Sequence, residues 1–252
     1  MKTTSKPTAL VTGGSRGIGA ATSRELAARG YRVAVNYFSN REAADQVVKQ
    51  IEADGGKAFA VQADVYNPRQ AADLLERSAA DGQLDVLVCN AGARFTPTPL
   101  PNLSWDDFHA KVTNELASVY TLTQQALAIM GAQGGGRIVY VSSAVADGPP
   151  TVGMAAHGTA KAALNTFARF VAYEAGPLRI NVNVVAPGFV RTEASAGQPT
   201  EFQQRLAEHT PLGRVAEPED VARAIAMLAG EDAGFVTGAV ITVDGGHGVG
   251  RR

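Results

Sequence analysis

Cysteine and closely spaced histidines are what this sequence lacks most clearly. Its 252 residues include one cysteine, Cys89, which can form no intrachain disulfide and cannot build a cysteine-based metal site. The four histidines are His109, His157, His209 and His247, and no two of them have the short spacing of a metal-binding pair. We therefore expect a protein without a bound metal ion.

Long apolar runs and an excess of basic charge are also missing. No stretch approaches the ~18 consecutive apolar residues that a membrane-spanning helix needs, and residues 1–7 lack the apolar core of a secretory signal. The 23 basic and 24 acidic side chains give a formal net charge of −1, with no Lys/Arg cluster suited to nucleic acid. These absences predict a cytoplasmic protein with no membrane or nucleic-acid partner.

What the sequence does contain is an alternation of short β-branched runs with longer segments of helical periodicity. The predicted strands are 9–12, 33–36, 58–62, 86–90, 138–142, 180–186 and 240–243. The predicted helices are 18–29, 41–54, 69–80, 105–130, 152–175, 200–208 and 218–229. Most strands are apolar on consecutive positions, as a parallel sheet covered on both faces requires.

This order predicts an α/β fold, with a doubly wound (Rossmann), mostly parallel seven-stranded sheet and helices on both faces. We see no Pro-, Gly- or Ser-rich linker, so residues 1–252 are predicted to form one dinucleotide-binding domain. The irregular stretch at 193–211 follows a predicted strand and is a candidate substrate lid.

The first predicted strand runs into a glycine-rich turn and then a helix. After residues 9–12 comes Gly13-Gly14-Ser15-Arg16-Gly17-Ile18-Gly19, and the helical pattern begins at once. Between a strand and a helix, glycines let the backbone turn tightly and approach a pyrophosphate, whose charge meets the amides of the helix N-terminus. The spacing is GxxxGxG rather than GxGxxG, and in this context it predicts a dinucleotide phosphate site.

A second group of polar residues collects around the predicted strand 138–142 and helix 152–175. Ser142 and Ser143 follow the apolar run of the strand, while His157 and Lys161 are four residues apart and share one face of the helix. A hydroxyl, an imidazole and an ammonium group that converge on one sheet edge are suited to acid/base chemistry.

Further motifs follow the glycine loop along nearly the whole chain. They are Asp64-Val65, Asn90-Ala91-Gly92, Asn114, Ser143, Lys161, Pro187-Gly188 with Thr192, and Val243-Asp244-Gly245-Gly246. In this order they resemble the short-chain dehydrogenase/reductase family, and in particular its 3-oxoacyl-carrier-protein-reductase-like members. The resemblance implies hydride transfer between a nicotinamide cofactor and a small-molecule ketone or alcohol, such as a 3-oxoacyl or polyketide-like carbonyl.

The resemblance also implies roles for the matching positions. The implied catalytic set is Asn114, Ser143, His157 and Lys161. The predicted cofactor-binding set, in which Asn36 and Arg41 are included on grounds of charge, is Gly13, Ser15, Arg16, Gly17, Ile18, Gly19, Asn36, Arg41, Asp64, Val65, Asn90, Gly92, Lys161, Pro187, Gly188 and Thr192. Lys161 would bind the nicotinamide ribose, Ser143 would hold the substrate oxygen, and Asn114 would support a water next to Lys161.

The choice of cofactor can be argued from charge. Selectivity for NAD needs an acidic residue at the end of the second strand, where it accepts hydrogen bonds from the ribose hydroxyls. That end is Asn36-Tyr37 here, so no carboxylate opposes a 2′-phosphate. Arg16 and Arg41 offer two guanidinium groups that could approach a phosphate. We predict NADP(H).

The Tyr-x-x-x-Lys element of the family is changed in this sequence. His157 stands where the family has the tyrosine that donates a proton to the carbonyl oxygen. Beside Lys161 and an oxidised nicotinamide, its imidazole should be mostly neutral at pH 7 and a better base than acid. The segment 147–150 also makes the spacing from Ser143 one residue longer than expected, which leaves Ser142 as an alternative for Ser143.

Three interpretations of His157 stay open. It can replace the tyrosine in a redox enzyme, or serve as the base of a dehydration, isomerisation or other proton transfer with the cofactor retained. The third interpretation is a catalytically silent nucleotide-binding subunit. Phe95, Phe189 and Phe202 lie in loops expected around the cleft and favour an apolar or aromatic ligand. The resemblance further implies a homotetramer or homodimer packed through 105–130 and 152–175.

Overall fold

A parallel sheet forms the centre of the structure, a computed structural model that describes residues 6–79, 83–148 and 151–249. Within them lie the strands β1 Thr8–Val11, β2 Arg32–Tyr37, β3 Lys57–Gln62, β4 Val86–Cys89, β5 Gly136–Val141, β6 Ile180–Pro187 and β7 Val240–Val243. They pair in the order β3-β2-β1-β4-β5-β6-β7, and the described pairings are all parallel. The predicted doubly wound seven-stranded fold is confirmed.

Helices cover both faces of this sheet. They are α1 Gly17–Ala28, α2 Arg41–Ala53, α3 Pro68–Ser78, α4 Trp105–Gln133, α5 Ala155–Ala175, α6 Thr200–Glu208 and α7 Pro218–Ala229. Neighbouring residues of β1 show why the strands are apolar throughout. Leu10 belongs to the core shared with α3, α4 and α5, and Val11 to the core shared with α1, α2 and α7. Burial of each such Leu or Val side chain stabilises the folded state by ~1.5–3 kcal/mol relative to leaving it exposed.

Glycines set the helix boundaries that differ from the predicted ones. Helix α5 begins at Ala155 rather than at residue 152, because Gly153 has a φ of +83° that a right-handed helix cannot accommodate. Helix α4 runs past residue 130 to Gln133 and ends where Gly134 adopts the left-handed conformation. Both helices bury apolar residues in the core on one face of the sheet.

The strand order reverses between β1 and β4, so the chain leaves these neighbouring strands in opposite directions around the sheet. In open α/β sheets the crevice beyond the strand ends at such a point is the usual place for a ligand. The loops after β1 and β4 border this crevice, and the segments after β5 and β6 lie alongside. The topology therefore brings most of the predicted motifs to one sheet edge.

Candidate active site

The glycine loop between β1 and α1 needs its glycines. Gly13 and Gly17 have φ values of +60° and +49°, which side chains seldom tolerate. A Cβ on Gly19 would lie 2.1 Å from the Gly13 carbonyl oxygen, so no larger residue fits there. Arg16 caps α1 without a side-chain hydrogen bond, which leaves the first amides of the helix available to an anion.

The side chains of two asparagines fix the backbone of this loop through hydrogen bonds. The Asn36 side chain accepts a hydrogen bond from Gly13 N at 3.1 Å and donates to Val61 O and Ala63 O, both at 3.2 Å. Asn90 donates from Nδ2 to Thr12 O at 2.9 Å. The buried Asn36 amide is therefore engaged with the backbone. Asn36 thus supports the loop, and its predicted part in cofactor binding would be exerted through that loop.

A cleft of about 940 Å³ opens beside the loop. Thirteen of the predicted site residues line it: Gly13, Ser15, Arg16, Gly17, Ile18, Gly19, Asn36, Asp64, Val65, Asn90, Gly92, Asn114 and Thr192. Six others do not: Arg41, Ser143, His157, Lys161, Pro187 and Gly188. The structure thus gathers most of the predicted cofactor residues in one cleft, while Ser143, His157 and Lys161 lie beside it, on the segments that follow β5.

The two predicted arginines have different places. Arg16 lines the cleft, together with Tyr37, Phe38 and Ser39 at the end of β2. The Arg41 side chain is 79% exposed and pairs with Asp45 at 3.4 Å on the surface of α2. Of these two, Arg16 is therefore the one placed to meet a phosphate in the cleft, which Arg94 also lines, and the expectation for Arg41 is corrected.

Asp64 and Val65 follow β3 at the far side of the cleft. The Asp64 carboxylate accepts a hydrogen bond from Tyr66 N at 2.9 Å and so shapes the turn, while Val65 is buried. At the end of β6, Gly188 N donates a hydrogen bond to Val243 O at 3.0 Å. A Cβ on Gly188 would lie 2.8 Å from the Cβ of Asp244, so a larger residue would not fit there. Pro187 pairs with Val243 in the same register.

Lys161 is a buried residue of α5. Its ammonium donates to Val141 O at 2.8 Å and to the Glu115 carboxylate at 2.5 Å, and its side chain is 7% exposed. Its predicted neighbour Asn114 is exposed and lines the cleft instead. The polar partner of Lys161 is thus Glu115, one residue further along α4, which corrects the role expected for Asn114.

Glu115 also binds a second ammonium group. Its other carboxylate oxygen accepts from Lys111 Nζ at 2.5 Å and from Ala93 N at 3.1 Å. Burial alone would raise the pKa of Glu115, but Lys161 and Lys111 outweigh it and the net direction is downward. Burial lowers the pKa of Lys111, and Glu115 opposes that shift. We call Lys111, Glu115 and Lys161 the ion triad.

His157 lies at the start of α5, against the aromatic ring of Phe95. The two rings stack with centroids 4.6 Å apart and an angle of 10° between their planes. Its Nδ1 is buried and has no hydrogen-bond partner among the described residues. Burial, with smaller contributions from Lys111 and Lys161, lowers the pKa of His157 to about 4. The imidazole is therefore neutral at pH 7, as its predicted surroundings require.

The two serines after β5 differ in what they bind. Ser142 is buried, and its hydroxyl donates to the backbone oxygen of Lys161 at 3.3 Å. Ser143 accepts from Val145 N at 3.3 Å and begins a short 3-10 turn, so its hydroxyl hydrogen can still be donated. This difference favours Ser143 for a substrate oxygen. Pro149 and Pro150, in the segment predicted to be longer, lie outside the described residues.

Sequence reasoning missed Lys111, Glu115 and the stacking partner of His157. A Lys–Glu pair four residues apart on a helix usually faces water. The available signal was its phase, because Lys111, Glu115, Ser118, Val119 and Leu122 form one stripe along α4 that is buried in the structure. A charged pair in line with an apolar stripe indicates a buried ion pair.

The site and the sheet together define a dinucleotide-binding α/β protein. A family model described as enoyl-(acyl carrier protein) reductase matches residues 13–248. The chain belongs to the short-chain dehydrogenase/reductase family of oxidoreductases, whose members bind a nicotinamide cofactor. This confirms the resemblance that the sequence motifs indicate.

The chain is similar in sequence or structure to three named proteins. It is 40% identical over 243 residues to cis-4-hydroxycyclohexanecarboxylate dehydrogenase of Sinomonas cyclohexanicum, covering 95% of both chains. It is 39% identical over 240 residues to 3-oxoacyl-[acyl-carrier-protein] reductase of Synechocystis sp., covering 94% and 95%. A solved 7α-hydroxysteroid dehydrogenase, complexed with NADH and 7-oxoglycochenodeoxycholic acid, has a TM-score of 0.89 at 32% identity, over 95% of this chain and 93% of that one.

None of the described helices is long and apolar enough to cross a membrane. Across the same parts of the chain, no group of three or more His, Cys, Asp or Glu side chains is arranged to hold a metal ion.

Proposed function

We propose that the protein is an NADP(H)-dependent oxidoreductase acting on a ketone or alcohol of the 3-oxoacyl or polyketide-like type, with His157 in the usual place of the tyrosine. The observation that carries this proposal is the arrangement along one sheet edge. The glycine loop and its cleft lie beside β1 and β4, and Ser143, His157 and Lys161 follow β5 next to them. These are the parts that phosphate binding and proton transfer require.

The residues of the cleft fit a dinucleotide. Glycine at 13 and 19 lets the loop pack tightly against Asn90 and its own backbone, and no side chain caps the amides at the start of α1, which would bind the pyrophosphate. Asp64 and Val65 would border the adenine, and Gly188 and Thr192 the nicotinamide end. When bound, the cofactor supplies or accepts the hydride.

The 2′-phosphate of NADP(H) is favoured by charge. Arg16 lines the cleft, and the residues that line it at the end of β2 are Asn36, Tyr37, Phe38, Ser39 and Asn40, all without a carboxylate. A phosphate group there meets a guanidinium and neutral donors rather than a like charge. These contacts support NADP(H) over NAD(H).

His157 exchanges the proton of the substrate oxygen. Because its pKa is about 4, the ring is neutral at pH 7 and can accept a proton from an alcohol. Donation to a ketone needs the imidazolium, whose population falls tenfold with each pH unit above 4. The site therefore favours alcohol oxidation at neutral pH, while ketone reduction gains as the pH falls. Ser143 positions the same oxygen by donating its hydroxyl hydrogen.

The remaining proposals concern the lid and the assembly. Residues 193–211 include α6, none of whose residues is buried. Phe202 of this segment packs edge-on against Phe189, with the two ring centroids 5.6 Å apart. We propose that it closes over an apolar substrate. Exposed Tyr120, Phe170 and Tyr173 on α4 and α5 support a homotetramer or homodimer. The cytoplasmic location stays a prediction.

Paired measurements on the wild type and His157→Tyr test the proposed function. NADPH and NADH are titrated by fluorescence, and turnover is followed by nicotinamide absorbance with alcohols, ketones and 3-oxoacyl thioesters. We expect tighter binding of NADPH and turnover by the wild type. NADPH binding without wild-type turnover, restored by tyrosine, would contradict a catalytic role of His157. A change in substrate with unchanged nicotinamide absorbance would indicate a non-redox enzyme instead.

A further inference from the structure

The charges of the ion triad act on His157. We propose that Glu115 is a positioning residue, which fixes the Lys161 ammonium for hydride transfer through a buried ion triad completed by Lys111. This inference rests on the proposed function. Its first support is burial, since the side chains of Lys111, Glu115 and Lys161 are 2%, 1% and 7% exposed.

Glu115 connects α4, α5 and the loop after β4 through hydrogen bonds. One carboxylate oxygen accepts from Lys161 on α5, and the other accepts from Lys111 on α4 and from Ala93 N in the loop after β4. Lys111 also donates to Ala93 O at 2.7 Å. Glu115 thereby links Lys161 to the same loop that borders the cofactor cleft.

The hydrogen bonds of Lys161 show which of its N–H donors is available to a ligand. An ammonium group has three N–H donors. Within the described residues, Val141 O and Glu115 accept two of them, both from the protein interior. With two donors fixed, the direction of the third N–H is set. That donor is the one left for a ribose or substrate oxygen.

The charge of the triad explains why a carboxylate is needed here. Two buried ammonium groups without a counter-ion would repel each other and pay a large desolvation cost. Glu115 neutralises one of the two charges and leaves a net charge of +1 beside His157. Phe95 contacts both Lys111 and the imidazole: Lys111 Nζ lies 5.2 Å from its ring centroid, and the His157 ring stacks on it. The charged groups that act on His157 are Lys111, Lys161 and Glu115.

The test compares Glu115→Gln with the double variant Lys111→Met/Glu115→Gln. The double variant removes the ammonium group that loses its partner and keeps the net charge of +1, so we expect its melting temperature to recover toward that of the wild type. Turnover should stay at least about tenfold below wild type in kcat, with the Kd of NADPH changed less than about threefold. Glu25→Gln, in an exposed pair with Arg29, is the matched control and should leave turnover unchanged.

Recovery of both stability and kcat in the double variant would show that Glu115 is only structural, and would overturn the proposal. A second readout needs no turnover: the titration of the His157 ring followed by NMR. Loss of Glu115 should move its midpoint down, whereas Lys111→Met should move it up. If the wild type turns over no substrate, the proposed function fails, while these opposite shifts still test the triad. Equal midpoints in all variants would contradict it.

Discussion

The two ends of the site are built in different ways. At the glycine loop, neutral backbone groups are held by the amide side chains of Asn36 and Asn90. At the start of α5, Lys161 is held by a buried carboxylate that also binds Lys111. The first end needs only aligned dipoles, because its ligand brings the negative charge. In the proposed reaction the second end stabilises charge that moves between substrate and protein, and this end contains its own buried ions.

The largest expected effect comes from breaking the neutral end. In Gly19→Val the new Cβ would overlap the Gly13 carbonyl oxygen at 2.1 Å, and the glycine loop would have to move away from its anion-binding conformation. We expect the loss of all measurable NADPH binding in fluorescence titration. Gly176→Ala is the control, because nothing lies within 4 Å of its Cβ and its φ is helical. Binding of NADPH by Gly19→Val with wild-type affinity would contradict this account of the loop.

Breaking the charged end should mainly reduce stability. Glu115→Gln leaves two buried ammonium groups without their counter-ion, and we expect the free energy of unfolding to fall by about 3–5 kcal/mol. Urea denaturation at pH 7 measures it. In the exposed Arg29–Glu25 pair, Glu25→Gln should cost only about 0.5 kcal/mol. A similar small loss in both variants would show that the triad is not a buried ionic unit.

The pH dependence of stability should differ between exposed and buried histidines. Because the pKa of His157 is near 6.5 when unfolded and about 4 when folded, the unfolded state binds more protons between these values. Its contribution to stability is present above pH 6.5 and is lost as the pH falls toward 4, at most about 3 kcal/mol. Denaturation of His157→Gln should show a flatter slope, whereas exposed His109→Gln should keep it. Equal slopes would contradict this shift.

The smallest expected effect concerns the choice of cofactor. Arg16→Ala removes one of the guanidinium groups that line the cleft, where Arg94 is another, and should reduce the preference for NADPH over NADH by about tenfold, or ~1.4 kcal/mol. Arg41→Ala is the matched control, since Arg41 pairs with Asp45 outside the cleft. Titration of each variant with NADPH and NADH measures the ratio of the two Kd values. An unchanged ratio in Arg16→Ala, or a tighter wild-type complex with NADH, would overturn the charge argument.

The two ends also differ in how well the sequence predicts them. Strand, loop and helix at residues 9–29 follow from glycine spacing and apolar runs, because these constraints are local in the chain. The role of Asn36 is harder to predict, because the direction of its amide depends on β3 and the glycine loop, which are distant in sequence.

The phase of a helix is harder to predict than its existence. Consecutive residues on a helix point about 100° apart, so moving from Asn114 to Glu115 exchanges a cleft-lining side chain for a buried ion partner. The family motif indicated the region, while packing of α4 against α5 selected the residue. The triad depends on that packing, and local periodicity shows only that Lys111 and Glu115 share a face.

The rate of NADP⁺-dependent alcohol oxidation as a function of pH, in the wild type and in His157→Gln, tests the central claim most directly. We expect a wild-type rate that rises through about pH 4 and is level at neutral pH, because the neutral imidazole is the base. His157→Gln should be slower by about 10²–10⁴-fold while still binding NADPH. Equal rates in the two proteins, or a wild type that binds NADPH and oxidises no alcohol, would contradict the account.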